Sequence, residues 1–231
     1  MDNLGQQIYA TIVKDDRWQL FLSGLGNTLL ITLVAVVLGV LIGALVAIIK
    51  VNAVYNRRWK WLAFIGDIYT TIIRGTPVVV QLLIMYYIVF ASAKTDMAVY
   101  VAALTFGINS GAYVSEIIRA GIMSIDRGQM EAGRSLGLSQ GMTMSYIIFP
   151  QAIKNVLPAL GNEVITLFKE TSIVGYVAVA DLTRVAEMIR SRTMSPFVPL
   201  IFIALIYLGI VMLLTWGLRK METRLAQSDV R

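Results

Sequence analysis

A chain of 231 residues that is 57% hydrophobic and 15% charged is more apolar than a soluble domain, which sits near about 45–50% by a similar count. With a mean hydropathy of +0.72 and the excess gathered in long runs, the composition points to an all-α polytopic membrane protein and away from a globular core. The absence of cysteine and histidine excludes disulfides, thiolate chemistry and the usual zinc sites. The net charge of +6 comes mostly from Lys and Arg flanking apolar spans, which is a topology signal and no sign of nucleic acid.

Residues 1–19 read as an N-terminal segment outside the bundle, with a short interfacial helix at 8–13 and with Trp18 and Phe21 as interface anchors. Asp2, Lys14, Asp15, Asp16 and Arg17 do not make the basic start of a secretory signal, so the first apolar run is expected to stay as an anchor. Span 1 covers about residues 22–49, where Gly39, Gly43 and Ala47 lie four apart, a small-residue face for close helix packing. Lys50, Arg57, Arg58, Trp59, Lys60 and Trp61 follow as a basic, aromatic turn. The positive-inside rule puts that turn in the cytoplasm and the N-terminus outside.

Span 2, residues 59–90, exceeds the roughly 20 residues that a crossing needs. Arg74-Gly75-Thr76-Pro77 interrupts it. Proline removes a donor and kinks the helix, and the freed backbone groups have to be buried in protein or line a wet cavity. Span 3, residues 98–122, carries Asn109, Ser110, Tyr113 and Glu116, then Arg119 near its end. Asn109, Tyr113 and Glu116 follow i, i+4, i+7 and share a face. A polar stripe within a membrane faces the bundle interior or a cavity.

A soluble-looking loop, residues 123–141, comes next. Asp126 or Ser124 suits the N-cap of a short helix, and Gly137 suits a left-handed stop. Ala132, Gly133 and Ser135 leave one side nearly bare, open to another protein's backbone or groove. Glu131 and Arg134, at i and i+3, can add weak support. Span 4, residues 142–168, is expected to be irregular at Pro150, Pro158 and Gly161, with Asn162 and Glu163 just after the second break. Residues 171–195 form an outer, partly helical segment with Asp181, Arg184, Glu187, Arg190 and Arg192, which suits either a solvated surface or an external docking partner. Span 5, residues 197–218, leads to a tail at 221–231, and Arg219, Lys220, Arg224 and Arg231 place the C-terminus inside.

Glu131, Ala132, Gly137, Ile147 and Pro150 stand at the spacing of an E-A-A, three residues, G, nine residues, I, one residue, L-P pattern, with Gly133 for the third Ala and Phe149 for Leu. On these residues the chain resembles the permease subunits of type I ATP-binding-cassette (ABC) importers, a MetI-like transmembrane fold of about five helices. Arg74-Gly75-Thr76-Pro77 with Gln81, the stretch 109–121 and the run 157–163 narrow the resemblance to the polar amino acid (HisMQ-type) branch. The resemblance covers residues 20–220 and implies a single transmembrane domain. It implies that Glu131, Ala132, Gly133, Ser135, Leu136 and Gly137 couple to a separate ATPase, which binds the ATP and Mg2+. It further implies a second permease subunit, identical or homologous, an extracytoplasmic amino acid-binding protein, and the inner membrane of a prokaryote.

The chain has no G-x-x-x-x-G-K-[ST] loop, so no P-loop nucleotide site, enzyme activity or cofactor of its own is expected. The ionisable residues at membrane depth are Asp67, Arg74, Glu116 and Glu163, each of which costs at least roughly 2.5–3.5 kcal/mol if unpaired. An amino acid needs an anion for its ammonium and a cation or helix N-terminus for its carboxylate. Glu163, beside Asn162, is the first candidate for a cationic group. The break at Arg74, Gly75, Thr76 and Pro77 is a candidate for the carboxylate, and Gln81, Asn109, Ser110 and Tyr113 for neutral hydrogen bonds. The structural alternative is that Arg74 pairs with Glu116 or Glu163 as a strut and that Asp67 is solvated near the inner interface. A gradient-driven transporter and a non-transporting membrane scaffold are the rival readings.

Overall fold

The computed structural model describes residues 4–227, so Arg231, counted above with the inner basic residues, lies outside the described residues. Helix is the dominant element, and no strand occurs among the described residues. A short α1 (Leu4–Ile8) runs into a π turn at Tyr9–Val13, within the expected interfacial helix. Then come α2 (Arg17–Tyr55), α3 (Lys60–Gly75), α4 (Val78–Ile84), α5 (Ala98–Met123), α6 (Arg127–Ser135), α7 (Gln140–Thr143), α8 (Phe149–Glu170), α9 (Leu182–Thr193) and α10 (Phe197–Gln227).

The apolar spans fold as the hydropathy demands. The helical stretches Leu4–Tyr55, Ala98–Met123 and Phe197–Leu225 are each long and apolar enough to cross a membrane, and Arg57–Gly75 with Val78–Val89 passes as a broken pair. Thr76 (φ -122°, ψ 144°) and Pro77 (φ -63°, ψ 134°) are extended at that break, because a residue before proline is pushed out of the helical region. α8, the fourth expected span, has 22 residues, enough at 1.5 Å each to cross a bilayer. Lys154, Glu163, Lys169 and Glu170 make it less apolar than the others. Its expected irregularity is confined to the π turn Met144–Ile148 ahead of it, and Pro158 sits inside a continuous helix. Along α2 and α10 the leucines at 33, 41, 45, 205, 208 and 213 are exposed, as lipid-facing side chains must be.

The chain divides into two compact units. The first holds the chain up to Val36, with Pro77–Gly107 and Ile165–Thr215. Its main core packs Ile31, Leu82, Phe106, Leu167 and Val174. A second cluster packs Phe21 with Leu182, Val185 and Ile189. Phe21 is thus a core residue, 4% exposed, and not the interface anchor expected; Trp18 is exposed. Asp181 starts α9 and accepts hydrogen bonds from the Arg184 (2.9 Å) and Thr183 (3.0 Å) N–H groups. Burial pushes its carboxyl above the usual range, a shift those N–H groups oppose. Asn27 donates to Ala180 O at 2.9 Å and the Leu182 N–H donates to Thr28 at 3.3 Å, so α2 and the start of α9 are tied together. Asp181→Ala is expected to lower stability by about 1–2 kcal/mol, while Asp181→Asn, which keeps the cap, loses only a fraction of that. Thermal unfolding of the purified chain in detergent checks this.

The second unit holds Val37–Thr76, Ile108–Val164 and the chain from Trp216. The small-residue face of α2 packs here as expected. A Cβ on Gly39 would lie 2.9 Å from Ser110 Cβ, and one on Gly43 would lie 2.5 Å from Val114 Cγ1. This close approach brings the polar residues of α5 against α2.

Candidate functional site

The second unit gathers most of the candidate residues. α5 presents Ser110, Tyr113, Glu116 and Arg119 at three-residue steps, about 4.5 Å of rise each. Each step meets a different partner.

At the first, Ser110 Oγ, 1% exposed, donates to Glu163 Oε1 on α8 at 2.9 Å. Asn162 is exposed and donates back to Pro158 O at 3.2 Å. Asn109 is buried at 3% exposure, next to Ser110 on α5. At the second step, the Arg74 guanidinium lies 5.3 Å from the centre of the Tyr113 ring, a cation–π distance. Neither ion pair suggested for Arg74, to Glu116 or to Glu163, is formed. Thr76 donates to Ile72 O at 2.9 Å, closing the last turn of α3. Gln81 belongs to α4 in the other unit.

The third step is an ion cluster around the buried Lys50. Lys50 Nζ donates to Glu116 Oε1 at 2.7 Å and to Thr70 Oγ1 at 2.9 Å, and lies 2.8 Å from Asp67 Oδ1. Glu116 Oε2 accepts from Arg119 Nε at 3.0 Å and Nη2 at 2.7 Å. Both oxygens of Glu116 are therefore taken by cations of the chain itself. This gives Glu116 a structural part in holding α2, α3 and α5 together. Lys50 is the residue that sequence reading misplaced. It was grouped with the basic turn, yet α2 runs on to Tyr55 and buries Lys50 at 8% exposure. The one available signal was its separation from Arg57 by six residues without another basic one. The Asp67 side chain stays 64% exposed.

Asp67, Thr71, Arg74 and Gly75 line one side of an open cleft of ≈ 750 Å3, whose floor is the Lys50–Glu116–Arg119 cluster. Five charged side chains border it: Lys50, Arg74, Arg119, Asp67 and Glu116. An arrangement with one surplus cation, Arg74, and one half-used carboxylate, Asp67, is suited to a small molecule carrying both signs of charge.

The connecting helix α6 forms as its sequence requires. Asp126 Oδ1 accepts from the Gly128 N–H at 2.6 Å, and Gly137 takes φ +83° beyond the last turn. The Leu138 N–H closes on Gly133 O at 3.1 Å, in the manner of a glycine stop. Glu131, Ala132, Ser135 and Leu136 are exposed, Leu136 by 80%. Gly133 is buried: a Cβ there would lie 2.5 Å from Thr143 Cγ2. Its small size serves packing within the chain, which corrects the expectation that it lies on the bare outer side. Arg134 donates to Leu138 O at 3.2 Å, so it braces the glycine stop; no ion pair with Glu131 forms among the described residues.

Exposed apolar helices, an ion cluster around Lys50 and a capped, exposed helix between spans fit a multi-pass membrane protein. The chain belongs to the family of binding-protein-dependent transport system inner membrane components, which matches residues 39–227. It is 39% identical to the arginine transport system permease protein ArtQ of Bacillus subtilis, over 90% of this chain and 93% of that one. It is 34% identical to the L-cystine transport system permease protein TcyB of the same organism, over 96% and 93%. A solved amino acid ABC transporter with histidines is 42% identical, with a TM-score of 0.84, covering 97% of this chain and 99% of that chain. The permease resemblance drawn from the EAA-type loop is thus borne out.

Proposed function

We propose that the chain is the permease subunit of an ATP-driven importer that carries a polar amino acid across the inner membrane by alternating access. The observation that carries the substrate class is the Ser110–Glu163 hydrogen bond (2.9 Å) on α5 and α8, which holds a half-buried carboxylate beside Asn162. A family of transport components and relatives named for arginine, cystine and amino acids support the same class. Those names differ at similar identity, and Glu163 suits a cationic group, either a basic side chain or an α-ammonium.

The chain has no nucleotide site of its own in this reading. A separate ATPase binds ATP and Mg2+ and docks on α6 through Glu131, Ala132, Ser135 and Leu136. A second permease, identical or homologous, completes the path, because a chain of this size encloses little space alone. An amino acid-binding protein delivers the substrate from outside, with the N-terminus of the permease outside and the C-terminus inside.

The test is uptake in vesicles holding the chain with its ATPase and binding protein. Glu163→Gln is expected to lower ATP-dependent uptake at least about tenfold, the value of one charge-assisted contact, with the ATPase still bound. Uptake that ignores ATP and follows an ion gradient would sink the reading.

A further inference from the structure

We infer that α3 alone holds the α-amino acid head group, with Arg74 on the carboxylate and Asp67 on the ammonium, and that Glu163 reads the side chain. The inference rests on the importer reading above and divides its site into two parts.

Bonding capacity is the first argument. Glu116 has both oxygens engaged by cations of the chain, Lys50 and Arg119, and its side chain is 19% exposed, so it is the less available carboxylate of the cleft. Asp67 contacts Lys50 through Oδ1, and its side chain is 64% exposed. Arg74 forms no ion pair among the described residues; its one recorded partner is the Tyr113 ring, a face that leaves the guanidinium N–H edge available. The cleft therefore offers one carboxylate oxygen and one guanidinium edge.

Geometry is the second. Asp67 and Arg74 are seven apart on α3, which places them on one face. Thr71 lies between them, and all three line the same open cleft. Helical side chains lean toward the N-terminus, so the long Arg74 side chain leans toward the Asp67 turn. Tyr113, beneath Arg74, stands one turn from Ser110 and hence from Glu163. A head group at Arg74 thus leaves a side chain free to extend toward Glu163.

Charge balance is the third. Lys50, Arg119 and Arg74 against Asp67 and Glu116 leave the cleft one positive charge in surplus. A zwitterionic head group leaves that sum unchanged, with its carboxylate on Arg74 and its ammonium on Asp67. A ligand without that carboxylate adds to the surplus. The cleft therefore takes zwitterionic head groups and rejects simple amines.

The experiment is equilibrium binding to the purified permease–ATPase complex in nanodiscs, without the binding protein. The probes are L-arginine, L-histidine and L-glutamine, each with its decarboxylated amine and its Nα-acetyl derivative. For the wild type, both derivatives are expected to bind about tenfold or more weakly than the parent, the weight of one charge-assisted contact. Asp67→Asn is expected to weaken the parent by a similar factor and to abolish the further penalty of Nα-acetylation. Arg74→Gln is expected to do the same for decarboxylation. Glu163→Gln should leave both penalties intact and change only the ranking among the three parents. If Asp67→Asn weakens binding but keeps the Nα-acetyl penalty, Asp67 is merely a partner of Lys50 and the inference falls. It also falls if wild type binds parent and derivatives alike, or if vesicles show ATP-driven uptake of a parent that the complex does not bind. Absence of both binding and ATP-driven uptake overturns the importer reading itself.

Discussion

Lys50→Met is expected to cost about 3 kcal/mol of stability, seen as a lower melting temperature of the purified chain in detergent. The side chain is 7% exposed and its ammonium meets Glu116, Thr70 and Asp67. An ammonium has three donors, and here each has an acceptor. Removing one partner of a buried pair costs about 3–5 kcal/mol, because the other charge is left uncompensated. The lower end applies here. Arg119 still serves Glu116 Oε2, and Asp67 is 64% exposed and returns to solvent. Met keeps most of the stem volume, so the loss reports charge and not a cavity. Lys50→Arg should retain much of the stability, and the double substitution Lys50→Met with Glu116→Gln should recover much of it, since the charges left unpaired, Asp67 and Arg119, are 64% and 42% exposed and are solvated. A melting temperature for Lys50→Met equal to wild type would show that water screens the cluster.

Gly133→Ala is expected to produce the second large effect, and it is one of size. The added Cβ would stand 2.5 Å from Thr143 Cγ2, 2.8 Å from Thr143 Oγ1 and 3.2 Å from Ile147 Cδ1. Overpacking of this kind costs about 1–3 kcal/mol. α6 has nine residues, too few to hold its own shape without packing, so it gives way before the spans do. Capture of the proposed ATPase should fall at least about tenfold, while the chain still inserts and folds. Thr143→Ala removes both clashing atoms and should restore capture in the Gly133→Ala background. Co-purification ratios measure this, and a wild-type ratio for Gly133→Ala alone would show that docking does not depend on how α6 is seated.

The parts of the fold that local rules govern were legible in the sequence. Apolar runs became the long helices, Thr76-Pro77 became a break, Asp126 became a cap and Gly137 a left-handed stop. Each follows from hydropathy, from proline sterics or from one side chain reaching one backbone group. Three features were not legible for a shared reason. Lys50 reaches partners 66 and 20 residues away, and no local pattern distinguishes such a lysine from the basic flank of a span. Gly133 looked like an outward bare surface because a helical wheel does not say which side its own chain will cover. Pro158 looked like a breaker, yet α8 stays continuous through it, as proline in membrane helices is tolerated where neighbours satisfy the freed carbonyl. Of the candidate site, the pairing of the residues was not legible. Glu116 pairs with Lys50 and Arg119, while Ser110 donates to Glu163.

The inward turn of Gly133 also bears on which ATPases this permease can accept. Glu131, Arg134 and Leu136 are exposed on α6, so their identities would be inherited together with the matching surface of the ATPase. Residue 133 would instead be inherited with residue 143 of the same chain. A hybrid transporter that takes residues 131, 134 and 136 from a relative should exchange one ATPase for another. Grafting residue 133 without residue 143 should leave the hybrid compatible with neither.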